Sequence, residues 1–132
     1  MNAHYLLCLG ILGLAACGSP GVRNGDLSGM GRYVGDNDIE DVIELERERI
    51  AYSRNDLAVF QVDLVNKDDE DRRVEYRARW FDPDGIEVLD ATRSWRPVFV
   101  SGRSSTPVRS TAPNMEAVRC EIEVRLHRPS GF

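Results

Sequence analysis

Between Arg72 and Leu89 the chain reads RRVEYRARWFDPDGIEVL, and this stretch constrains the fold more than any other. Val74, Tyr76, Ala78 and Trp80 share one parity, whereas Arg73, Glu75, Arg77 and Arg79 share the other. A repeat of two residues is that of a strand with one dry face and one wet face. Asp82-Pro83-Asp84-Gly85 follows, with proline pre-setting φ and glycine free to take a positive value, and a second apolar run starts at Ile86. The segment predicts a β-hairpin.

Further runs of the same kind flank it. Ile43 to Tyr52 and Leu57 to Asn66 are separated by the turn residues Ser53-Arg54-Asn55-Asp56 and predict a second hairpin, with Ala58, Phe60, Val62 and Leu64 on one face. Trp95 to Val100 predicts a strand that contains Pro97, which cannot donate to a ladder and so belongs at an edge or bulge. Thr106 to Thr111 predicts a short strand, and Ala117 to Arg128 the last and longest one. No segment carries a 3.6-residue period long enough for a substantial helix. Together these runs predict an all-β fold, a single immunoglobulin-like antiparallel sandwich of about seven strands.

The start of the chain reads as an address. Tyr5 to Leu14 is apolar but too short for a permanent membrane span, which fits a signal-peptide core. Leu14-Ala15-Ala16-Cys17 looks like a bacterial lipobox, which makes Cys17 the lipidated first residue after cleavage, and Gly18 behind it implies an outer-membrane destination. Three segments are therefore expected: a signal peptide at 1–16, a lipidated Cys17 with a Gly-rich tether to residue 35, and a sandwich domain at 36–132. The implied site is lipid-anchored on the periplasmic face of a Gram-negative outer membrane, held by several acyl chains.

Charge and residue inventory exclude much else. All of the formal charge of −5 lies beyond residue 16, and a mildly acidic domain is no nucleic-acid binder. Lys67 is the sole lysine, so the basic residues are almost all arginine. After cleavage and lipidation Cys120 alone is left; it shares the apolar parity of Val118, Ile122, Val124 and Leu126, so a buried thiol is expected, the alternative being an intermolecular disulfide. Asp36 to Asp41 is acidic, but a calcium loop starting at Asp36 wants Gly where Asp41 stands and Glu where Arg47 stands, so no metal site is expected. His127 is the last remaining histidine, with no nucleophile elbow in the chain, and neither catalytic residues nor a cofactor are expected. Glu121 and Glu123 alternate with Arg119 and Arg125 on a wet face, where they are expected to pair with arginines of the central strand for well under 1 kcal/mol each.

The EYRARWFDPDGIE segment at Glu75 to Glu87, WRP at Trp95 to Pro97, APN at Ala112 to Asn114 and AVRCEIEVR at Ala117 to Arg125 resemble the YcfL family of small bacterial outer-membrane lipoproteins. The resemblance implies a compact immunoglobulin-like sandwich behind a lipid anchor, no enzymatic activity, and a link to peptidoglycan or envelope assembly. Two functions are then open. One is a non-catalytic adaptor that binds an envelope protein through an edge strand or an arginine-bearing face, with Arg77, Arg79, Trp95 and Arg96 as candidate partner-binding residues. The other is an accessory glycan-binding or hydrolytic domain acting on the cell wall, which needs converging carboxylates or exposed aromatics. Phe81 and Trp95 are the aromatics whose exposure discriminates between them.

Overall fold

In the computed structural model, residues 27–35 and 38–127 are described; the expected signal peptide and Cys17 lie outside them. Eight strands form two sheets, joined by little else than a five-residue helix, α1 (Asp38–Val42), and one 3-10 turn at Ala91–Arg93. The strands are β1 (Ser28–Tyr33), β2 (Ile43–Tyr52), β3 (Ala58–Asn66), β4 (Arg72–Phe81), β5 (Glu87–Val88), β6 (Arg96–Val100), β7 (Ser105–Thr111) and β8 (Arg119–Leu126). One sheet has the order β1-β8-β4, with β5 and β6 both pairing with β4, and the other has the order β2-β3-β7.

The central strand does what its alternation dictates. Val74, Ala78 and Trp80 are buried, and β4 pairs with β8 from Val74↔Leu126 to Phe81↔Arg119. Its hairpin closes through Asp82, which accepts the backbone N–H of both Asp84 and Ile86 on Oδ1, while Gly85 takes φ +81. Phe60, Val62 and Leu64 of β3 meet Trp80, Ile122 and Val124 across the interior. Buried Trp80 donates its indole N–H to Ser110 Oγ on the opposite sheet at 2.9 Å, so a polar ring atom that burial would orphan is satisfied. Cys120 is fully buried, and burial raises its thiol pKa, as a structural thiol requires.

Three features depart from the expectation. The tether expected to reach residue 35 contains β1, which pairs parallel with β8, so the sandwich has eight strands and is not purely antiparallel. Glycine content made the segment look like a linker, but Gly29 is bare for another reason: a Cβ there would overlap the buried Phe60 ring. β8, at 8 residues, is shorter than β2 and β4, at 10 each, and so is not the longest strand. The acidic run before β2 is no simple solvated edge either, because it forms α1 and buries Ile39 in the core.

The two flanks of the sandwich are unlike each other. On one side β1 and β2 are tied: Tyr33 donates its hydroxyl to the Ile43 carbonyl (2.9 Å) and accepts the Leu45 N–H (3.2 Å), and Glu48 takes the Gly31 N–H. On the other side β6 and β7 leave a common corner at Ser101–Ser104 and enter different sheets. That corner is held by Asn66, whose side-chain amide donates to the Val100 carbonyl, and by the Thr106 hydroxyl on the Phe99 carbonyl. Away from the corner the strands diverge.

Candidate functional site: an arginine-lined cleft between two strand edges

The outer face of the larger sheet holds most of the arginines singled out by sequence. Arg77 pairs with Glu123 at 2.5 Å, Arg79 with Glu87 at 2.9 Å and with Glu123 at 3.4 Å, and Arg125 with Glu75 at 2.7 Å. Arg119 meets Glu121 at 3.0 Å. Between the charges lie the two unplaced aromatics. The Trp95 ring lies against the guanidiniums of Arg77 and Arg125, at 4.5 and 3.9 Å from its centroid, and Phe81 against that of Arg119 at 4.1 Å. Phe81 is 7% exposed, and Trp95 is half-buried with two guanidiniums against its ring.

This arrangement corrects the expectation of a solvated face. The side chains of Glu123 and Glu121 are only 4% and 11% exposed, because arginine stems and aromatic rings roof the sheet. Removing one partner of a buried pair strands the other charge, which costs several kcal/mol rather than tenths. The hydrogen bond from Arg79 holds the Glu87 carboxyl below its ordinary range, and that from Arg125 does the same for Glu75. His127, the one histidine among the described residues, also leans on Glu75 at 3.4 Å. Arg77, Arg79 and Trp95 thus belong to one lattice, in which both guanidiniums are paired with carboxylates and the Trp95 ring is in cation–π contact.

Arg96, the fourth candidate, lies elsewhere. It stands opposite Tyr76 at the start of β6, on the divergent flank, and helps line a cleft of about 270 Å³. The other walls are Tyr76, Ala78, Thr92, Arg109, Ser110 and Thr111. Among the described residues, Arg54, Arg73, Arg96 and Arg109 are the arginines without a carboxylate partner, and two of them meet here. Ser110 is 8% exposed; its oxygen accepts the Trp80 indole N–H, and its own proton has no acceptor among the described residues. The Thr92 hydroxyl is held by the Ala78 carbonyl (3.2 Å) and by Asp90 (2.5 Å), which also caps the 3-10 turn. The cleft therefore offers cations and hydroxyl donors, with the neighbouring acid already engaged.

Sequence reasoning missed Arg109 and Ser110. Both fall in a short strand with unremarkable alternation, and nothing in one chain's sequence says that the free edges of β6 and β7 face each other. Arg96 carried the sole local signal, through the proline beside it.

Among the described residues no group of His, Cys, Asp and Glu is arranged to hold a metal, and no helix is long and apolar enough to cross a membrane. No curated protein is similar enough in sequence to be matched to the chain. Two solved structures share its fold. A DUF1425 family member from Shewanella sp. pv-4 superposes with a TM-score of 0.60 at 25% identity, over 67% of this chain and 81% of its own. Campylobacter jejuni cj0090 superposes with a TM-score of 0.60 at 17% identity, over 74% of this chain and 97% of its own, a likeness of fold alone. The model of DUF1425, a protein family of unknown function, matches residues 32–126, which contain every strand after β1, the end of β1 itself and the whole cleft, and the chain belongs to that family.

Proposed function

We propose that this chain is a YcfL-like lipoprotein, anchored through Cys17 to the periplasmic face of the outer membrane, that serves as a non-catalytic adaptor of the cell envelope. The observation that carries the reading is the asymmetry of the flanks. One is sealed by Tyr33 and Glu48, while the other presents two strand edges and two arginines without carboxylate partners. Unpaired edges and unpaired charges are where a second chain gains contacts that the fold itself does not make. The docking site is then the β6/β7 cleft rather than the Arg77/Arg79 face. An accessory glycan-binding role is weakened because Phe81 is buried and the Trp95 ring is already engaged by two guanidiniums.

In-cell photo-crosslinking tests the assignment. A photoreactive residue in place of Thr111, which lines the cleft beside both arginines, should capture an envelope protein, whereas one in place of Arg32 on the opposite flank should not. Capture from Arg32 alone would move the interface to the other side. Separately, Cys17→Ala should abolish labelling by a radioactive fatty acid, and label that persists in the variant would end the lipoprotein reading.

A further inference from the structure

We propose that the β6/β7 cleft is a carboxylate-binding site, which takes an acidic side chain of a partner segment between Arg96 and Arg109. The inference rests on the docking reading only in supposing that the ligand arrives on a second protein.

The argument begins with donors. The guanidiniums of Arg96 and Arg109 are rigid forks of N–H groups that can never accept a hydrogen bond. The Ser110 hydroxyl already accepts from Trp80, and its proton is free to donate to a new partner. Tyr76 contributes a phenol, engaged with nothing else among the described residues. A wall of donors with positive charge is completed by an acceptor with negative charge. Carboxylate fits the arginine fork in the bidentate manner that gives such pairs their strength and direction.

Size and the surrounding chain narrow the choice. A volume near 270 Å³ lies just under the range of about 300–1,000 Å³ typical of sites that enclose a whole small molecule, and suits one side chain with its stem. The body of the molecule is acidic, with a formal charge of −5, so a singly charged carboxylate approaches with less repulsion than a doubly charged phosphate. Backbone pairing alone is a poor means of recognition here, because Pro97 in β6 and Pro107 in β7 remove donors from both edges. Selectivity accordingly falls to the side chains.

The molecule carries its own reporter, since the Trp80 indole N–H is bonded to Ser110 at the cleft wall. Its ¹⁵N–¹H resonance should be followed in the full chain while an acetylated, amidated pentapeptide, Thr-Val-Glu-Val-Thr, is added. The glutamate peptide should shift the resonance saturably, and its glutamine counterpart should bind at least about tenfold more weakly. Arg96→Ala and Arg109→Ala should each weaken binding about tenfold while the melting temperature stays at the parent value, because neither arginine has a carboxylate partner to abandon. Equal binding of the two peptides would overturn the proposal. So would shifts that survive in the double variant, or inorganic phosphate displacing the peptide at equal concentration. Peptide binding without in-cell crosslinks would leave the carboxylate site standing and sink the adaptor reading; crosslinks without peptide binding would do the reverse.

Discussion

Trp80 and Glu123 show how differently single residues of one sheet hold the molecule together. Trp80 is fully buried and bridges the sheets through Ser110, so Trp80→Ala should cost about 3–5 kcal/mol, read as a large fall in the denaturation midpoint. A midpoint near that of the parent would mean that the core closes over the gap. Glu123 is buried by charge rather than by oil, with Arg77 and Arg79 as its partners. Replacing both arginines with Ala should therefore destabilise the fold by about 3–5 kcal/mol, the range for breaking a buried pair, and not leave it unchanged. A double variant that melts like the parent would show that water reaches Glu123. Acid should act on the same lattice. Glu75 and Glu87 have their carboxyl pKa values lowered by Arg125 and Arg79, so their contribution is complete above the ordinary value of 4.5 and is lost as pH falls through the lowered native values. Urea midpoints should hold between pH 7 and 5 and drop below about pH 4, and the drop should shrink in Glu87→Gln.

The elements were legible where period and turn chemistry agreed. β4 with its Asp82–Gly85 turn and the β2/β3 hairpin lie where the alternation puts them, because each has one face on the core and short-range signals at both ends. β1 was not legible. Its glycines remove the alternation that marks a strand, and they are there because Phe60 and Leu45 occupy the space a side chain would take. Gly29→Ala should accordingly destabilise the domain by about 1–3 kcal/mol, the cost of overpacking, although alanine is the better residue in most backbones. A chain that begins at residue 36 should show the same need more severely, since it exposes the β8 edge; light scattering should detect its association, whereas one that begins at residue 27 should remain monomeric. The cleft was half legible. Pro97 announced an edge, but the meeting of Arg96 with Arg109 depends on how two sheets are joined, a long-range fact with no local trace.

At the scale of the whole molecule, the first strand rests on the last. Ser28 lies beside Arg119 and Tyr33 beside Val124, with nearly the entire domain between them in sequence. A contact that closes so long a loop is slow to form and cannot form at all until β8 is present. As the chain emerges from the ribosome, β2 can pair with β3, and β4 with β5 and β6, but β1 must wait with its partner still unmade. The domain is therefore committed to its native shape only when synthesis is nearly over, which keeps the nascent chain threadable for almost its full length. Chains stalled before Arg119 should be cut rapidly by protease, and those released after Leu126 should resist it; resistance in the stalled chains would mean that the sandwich closes without its first and last strands paired.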